Sequence, residues 1–194
     1  QQRDEGTRGI PGRSFRDAAA GAIRWSDPVD RARDVGRAAC ADILAGSPGA
    51  ESWGLGRELF GVTGQVVGPA PRRLPNFFVW WDGDATREIL NQNWIAKYNP
   101  LSDGAMETLL VAEGCRAING SKATPLLSAD LLGDWREEVL WPTSDGSALR
   151  LYTSTIPTPQ RFPTLMSDRL YRLSAVWQNV GYNQPPHLSY FLGQ

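Results

Sequence analysis

From Phe15 onward the chain is broken into short apolar or aromatic runs, each set off by turn-forming residues: AIRW at 22–25, FFVWW at 77–81, TLLVA at 108–112, EVLW at 138–141, LRLYTST at 149–155 and LSAVWQNV at 173–180. Each run has strand length and is bounded by Gly, Pro, Asp or Asn, the pattern of an all-β fold. The first fourteen residues, QQRDEGTRGIPGRS, are polar, with repeated Gly and Arg and no apolar period. They read as a loop or a cut end, with the structured part running from 15 to 194.

One segment recurs. Gly83-Asp84-Ala85-Thr86-Arg87-Glu88-Ile89-Leu90 returns fifty positions later (133 − 83) as Gly133-Asp134-Trp135-Arg136-Glu137-Glu138-Val139-Leu140. A weaker third copy begins at Ala41-Asp42-Ile43-Leu44, mirrored by Ala129-Asp130-Leu131-Leu132, and closes with Glu51-Ser52-Trp53. One turn-plus-strand signature every ~40–50 residues fits β-propeller blades built of antiparallel four-stranded sheets. At that pitch the chain holds about four blades, and rings usually need four to eight to close, so it is either a complete ring or half of a larger one.

Composition sharpens this picture in a few places. Gly (20), Pro (14) and Trp (8) are frequent among the 194 residues, which favours strands and tight turns over helices. Twenty basic residues against twenty-one acidic ones give a formal charge of -1, so no broad field gathers nucleic acid or anionic lipid, and neither is expected as a partner. No apolar run reaches the ~20 residues that span a bilayer. Cys40 and Cys115 are too few for a disulfide framework, lack metal-ligand spacing, and are expected as buried thiols.

The repeated turns carry the first candidate chemistry. Asp82, Asp84 and Glu88 cluster in one, and Asp130, Asp134 and Glu138 in the other. A hard cation such as calcium takes six to eight oxygen ligands, several of which one acidic loop can supply. The spacing is not that of an EF-hand. The competing reading is that Asp and Gly form the turn and Glu solvates the strand end.

Three longer stretches carry a family likeness. FFVWWDGDATREIL (77–90), EGCRAINGSKATPLLSADLLGDWREEVLW (113–141) and TIPTPQRFPTLMSDRLYRLSAVWQNVGYNQPPHLSYFLG (155–193) resemble, in order and spacing, the matching parts of family 11 rhamnogalacturonan lyases. The likeness continues more weakly upstream through SFRDAAAGAIRW and DVGRAACADILAGSPGAESW, covering about residues 14–194 and corresponding to roughly the last third of a full member. It implies the C-terminal part of an eight-bladed propeller that binds calcium and cleaves rhamnogalacturonan, a pectic polysaccharide, by β-elimination. A secreted or periplasmic setting goes with it. The preceding blades, or a second copy, are the implied protein partners.

By the same resemblance, Asn119-Gly120-Ser121-Lys122 falls on the family's sugar-contacting loop, Tyr182 on the tyrosine of its terminal signature, and Arg37 on a basic residue that faces the acidic sugar. Ser121 stands where the family commonly has Thr, which keeps the hydroxyl, and the residues after Arg37 depart from the usual small-residue run. β-Elimination from a uronate removes a proton beside a carboxylate whose charge must first be neutralised, by calcium or by the planar fork of an Arg. Lys122 is the candidate base, Arg37 the carboxylate partner, and Tyr182 a stacking or hydrogen-bonding group that could assist proton transfer. Asn119, Gly120 and Ser121 would hold the sugar hydroxyls. Asn-Gly is also an ordinary hairpin turn, and His187, the lone histidine, is read as structural or superficial. The alternative to a lyase is a non-catalytic, calcium-stabilised propeller fragment that binds carbohydrate or protein.

Overall fold

In the computed structural model, which describes residues 12–16, 23–28, 38–54, 58–72, 77–180 and 183–193, the short runs become thirteen antiparallel strands and one α-helix. They fall into two units, one of residues 1–74 with the 99–105 loop, the other of 75–98 with 106–194.

In the first unit, β1 (Gly12–Arg16) pairs with β2 (Ile23–Pro28), and β3 (Ala39–Ala41), β4 (Glu51–Trp53), β5 (Glu58–Phe60) and β6 (Val66–Pro69) form a four-stranded meander. Ala39 and Ala41 face inward and Cys40 outward, so strand alternation leaves Cys40 exposed, contrary to expectation, while Cys115 in the other unit is buried. The 99–105 loop is held by backbone and side-chain bonds from Arg72 to Gly104 and Asp103, and Gly104 is required there because a Cβ would lie 2.3 Å from the Ala70 carbonyl oxygen.

In the second unit, β7 (Phe77–Val79), β8 (Glu88–Asn91), β9 (Trp94–Tyr98) and β10 (Met106–Val111) make another four-stranded meander. The next sheet has only three strands: β11 (Leu127–Ala129), β12 (Glu138–Pro142) and β13 (Leu149–Tyr152). The two share an apolar core of Phe77, Val79, Trp81, Leu90, Ile95, Ala112, Cys115, Val139 and Trp141. Trp141 is fully buried, lies edge-on to Tyr152 at 5.4 Å, and donates its indole N–H to the Gln92 carbonyl at 2.9 Å.

The LSAVWQNV run also departs from expectation. Rather than a strand, residues Arg169–Trp177 form α1, whose start is capped by the Asp168 carboxylate accepting from Leu170 N–H at 2.9 Å. Tyr171, Ser174, Ala175 and Gln178 face inward at helical spacing, while Leu170, Leu173, Val176 and Trp177 are exposed, so the larger aliphatic side chains do not mark the buried face.

That inward face covers the β11 edge of the three-stranded sheet. The Gln178 side-chain amide accepts from Ser128 N–H at 2.8 Å and donates to Ser128 C=O at 3.0 Å, pairing the open edge of β11 as a neighbouring backbone would. Tyr171 adds a second tie by accepting from Asp130 N–H at 2.9 Å.

Trp141→Ala is expected to cost roughly 3–5 kcal/mol, because it opens a cavity between the two sheets and strands the Gln92 carbonyl. Urea unfolding followed by tryptophan fluorescence checks this; a loss below about 1 kcal/mol would mean that the two sheets do not share a single core.

Candidate functional site

The acidic turns are built on one device used three times. Glu88, Glu138 and Glu51 open the second strand of their sheets and stand opposite Val79, Ala129 and Ala41. In each case Oε2 accepts two consecutive backbone N–H groups from the loop just beyond that partner. They are Trp81 and Asp82 at 2.9 and 3.2 Å, Leu131 and Leu132 at 2.9 and 2.9 Å, and Ile43 and Leu44 at 3.0 and 3.1 Å. All three glutamates are buried, and each carboxylate replaces ladder partners that the departing chain has lost.

What meets Oε1 differs between copies. One residue beyond the Ile89–Ala96 pair, Lys97 places its ammonium 3.0 Å from Glu88. It also bonds Asp82, Asp84 at 2.8 Å and Thr86 Oγ1 at 3.3 Å. One residue beyond Val139–Tyr152, Thr153 donates its hydroxyl to Glu138 Oε1 at 3.1 Å. One residue beyond Ser52–Phe60, the third copy has Gly61, with no side chain to offer.

The six proposed calcium ligands therefore have separate fates. Asp82, Asp84 and Glu88 do converge, and among the described residues they form the one cluster of three such groups with oxygens within 4.8 Å of each other. Their centre is held by the Lys97 ammonium. Asp130, Asp134 and Glu138 are not brought together. Asp130 accepts from Gly133 N–H at 2.7 Å, Thr164 hydroxyl at 2.7 Å and Leu165 N–H at 2.8 Å, whereas Asp134 pairs with the Arg136 guanidinium at 2.7 Å. Every one of these oxygens is engaged as a hydrogen-bond acceptor, so a calcium ion, which takes six to eight oxygen ligands, would have to displace those donors, the Lys97 ammonium among them at the Asp82–Glu88 turn.

Burial dominates the protonation of these groups. It pushes Glu88 up to about 8 despite Lys97, and it raises Glu51, Glu137 and Glu138. For Lys97, burial alone would lower the value, but Glu88, Asp82 and Asp84 outweigh it and hold the ammonium above its ordinary range. Burial likewise opposes ionisation of Asp84, yet the hydrogen bonds from Lys97 and Thr86 leave it below the usual carboxylate value.

A second buried assembly was not legible as a site. Arg87 sits with its guanidinium 4.1 Å from the Trp80 ring centre, donates to Phe78 C=O at 2.9 Å and pairs with Glu137 at 3.4 Å. Glu137 also accepts from Tyr171 hydroxyl at 2.6 Å and Trp80 N–H at 2.9 Å. The cluster locks β7, the β12 entry and α1 together. Its signal was the Arg87–Glu137 offset of fifty positions (137 − 87), which places both at the same point of the repeat.

The proposed sugar loop is stiff. Ile118 and Thr124 close it with bonds of 2.9 and 3.3 Å, and Gly120–Lys122 form one turn of 3-10 helix. Asn119 (φ 62°), Gly120 (φ 53°) and Ala123 (φ 51°) are left-handed, which costs about 1–3 kcal/mol at each non-glycine position. Gln92 N–H donates to the Ala123 carbonyl at 2.9 Å, and Gln92 is in turn tied to Trp141, so the loop is anchored to the core. Asn119 and Gly120 are exposed and Lys122 is half-buried. The Asn119 amide donates to Asn183, and Asn183 donates to Asn179 at 2.5 Å. Arg37 and Tyr182 lie outside the described residues, but Asn183 is the residue that follows Tyr182 in the chain. His187 is exposed.

Against known proteins, the pattern that defines the C-terminal domain of rhamnogalacturonan lyase family 11 matches residues 2–194. The chain belongs to this family. It is similar to the rhamnogalacturonan endolyase YesW of Bacillus subtilis strain 168, at 53% identity over 182 residues, or 94% of this chain and 29% of that protein. It is also similar to the rhamnogalacturonan exolyase YesX of the same organism, at 42% identity over 94% of this chain and 32% of the relative. Among solved structures, the YesW crystal structure superposes with a TM-score of 0.86 at 51% identity, covering 93% of this chain and 30% of the other. A Bacillus licheniformis rhamnogalacturonan lyase superposes with a TM-score of 0.85 at 48% identity, over 93% and 30%. The chain thus spans about a third of the length of the family 11 lyases it matches.

Glu51→Ala leaves the buried Ile43 N–H without its acceptor and is expected to cost roughly 2–4 kcal/mol, whereas Glu51→Gln, which retains a side-chain oxygen, should cost much less. Urea midpoints of the two variants test this; equal losses would rule out the capping role. The Glu88 shift predicts a pH dependence. A carboxyl raised from 4.5 to about 8 contributes stability that is complete below pH 4.5 and is lost as pH rises through 8. The urea midpoint should therefore fall from pH 5 to pH 8 by more in the parent chain than in Glu88→Gln, and parallel curves would contradict the assignment.

Proposed function

We propose that this chain forms the C-terminal blades of a rhamnogalacturonan lyase propeller and supplies one wall of its sugar-binding cleft. The four-stranded meanders β3–β6 and β7–β10 are blade-like, and β11–β13 makes a three-stranded equivalent. With β1–β2 as a fourth unit, they would be part of an eight-bladed ring completed by preceding blades or a second copy. A secreted or periplasmic setting suits a polymer as large as pectin.

The observation that carries the reading is the Asn119–Lys122 loop. It is held in left-handed geometry, anchored through Gln92, and bonded by Asn119 to Asn183 next to Tyr182 in the sequence. Strain kept at an exposed polar loop is typical of recognition sites. In the proposed reaction, Lys122 removes the proton on the carbon beside the galacturonate carboxylate. The carbon–oxygen bond to rhamnose then breaks, a carbon–carbon double bond forms in the uronate, and the rhamnose oxygen leaves with a proton. The resemblance adds Arg37 as the carboxylate's charge partner and Tyr182 at the sugar. Asn119 is divided between Asn183 and the substrate, while Gly120 and Ser121 supply short polar contacts.

The test is a chimera in which this chain replaces the matching C-terminal segment of YesW. It should cleave rhamnogalacturonan to a product that absorbs ultraviolet light through its new double bond, and Lys122→Ala should lower that rate ~100-fold or more. An unimpaired Lys122→Ala rate would remove Lys122 as the base. A folded chimera that binds the polysaccharide without cleaving it would favour the non-catalytic reading.

A further inference from the structure

We propose that the Lys97 ammonium is the resident cation of the Asp82–Glu88 turn, so that this turn keeps its shape without calcium. The inference concerns the fold of one sheet and does not depend on lyase activity. Lys97 emerges from β9 beside Glu88, on the side of the strand that faces the turn, and its nitrogen reaches one oxygen of each carboxylate and the Thr86 hydroxyl. The remaining oxygens point the other way. Asp82 Oδ1 accepts from Asp84 N–H at 2.9 Å, Asp84 Oδ1 from Thr86 N–H at 2.8 Å, and Glu88 Oε2 from Trp81 and Asp82 N–H. The set is saturated. A divalent ion at these oxygens would have to displace the ammonium, which already occupies one oxygen of each carboxylate.

The next sheet differs at both points. Thr153 occupies the position of Lys97, Leu132 that of Asp82, and Asp134 turns instead to Arg136. The lysine and the full set of three carboxylates occur together. The chain carries the positive charge for this turn as a side chain, where the composition of the loop alone suggests a metal.

The experiment uses the full 194-residue chain and calcium alone as the probe. Lys97→Thr, which copies the neighbouring sheet, should lower Tm by roughly 5 °C in EDTA, recover on adding millimolar calcium, and bind one more calcium in calorimetry than the parent. Asp84→Asn in the otherwise unchanged chain should leave calcium stoichiometry as it was. The proposal is overturned if Lys97→Thr is as stable as the parent in EDTA, or if Asp84→Asn removes a bound calcium. Should Lys97→Thr not fold under either condition, the Asp84→Asn stoichiometry alone decides.

Discussion

The described architecture depends on a buried carboxylate that gathers two adjacent backbone N–H groups where the chain leaves a strand. A strand that ends inside protein abandons its ladder partners, and an amide left there without an acceptor costs about 1–3 kcal/mol. Glu51, Glu88 and Glu138 each supply that acceptor from the strand next door, with both donors on one oxygen. Because the acceptor comes from the neighbouring strand, the loop cannot shift without losing register. Sheet pairing and turn shape are set together.

The same geometry leaves the second carboxylate oxygen open to whatever the following strand presents. Lysine, threonine and glycine occupy that point in the three copies, giving one turn with a dense ionic cluster, one with a neutral hydroxyl, and one with no side chain at all. A conserved framework with an interchangeable third position can change its local charge without rebuilding the backbone. Asp130 shows the second half of this freedom. Its equivalent in the preceding copy is Trp80, and its carboxylate has been redirected to the 164–165 segment.

Much of the strand content and the internal repeat could be read from the sequence because alternation and turn residues are local signals. The fifty-residue offset correctly equated Glu88 with Glu138, and the third copy through Glu51 held at the level of hydrogen bonds. What was hidden had non-local causes. Lys97 lies nine positions after Glu88 and joins the turn only through the β8–β9 register. Arg87 and Glu137 become a pair only when packing buries them beside Trp80. Helix α1 conceals itself because its leucines, Val176 and Trp177 face outward, while Ser174 and Gln178 join Tyr171 and Ala175 on the buried side. The Asn119–Lys122 loop was found by family likeness, while its anchor, Gln92, carries no motif and matters through its backbone N–H and C=O.

The side-chain amide of Gln178 has a consequence for assembly. An unfinished sheet margin invites any extended peptide, including another copy, to zip along it and start an ordered aggregate. One glutamine filling both the donor and the acceptor slot of Ser128 denies an intruder its first foothold on the β11 edge. The β11 edge is therefore held by Tyr171 and Gln178 together, and the integrity of a nine-residue helix sets how well it is defended.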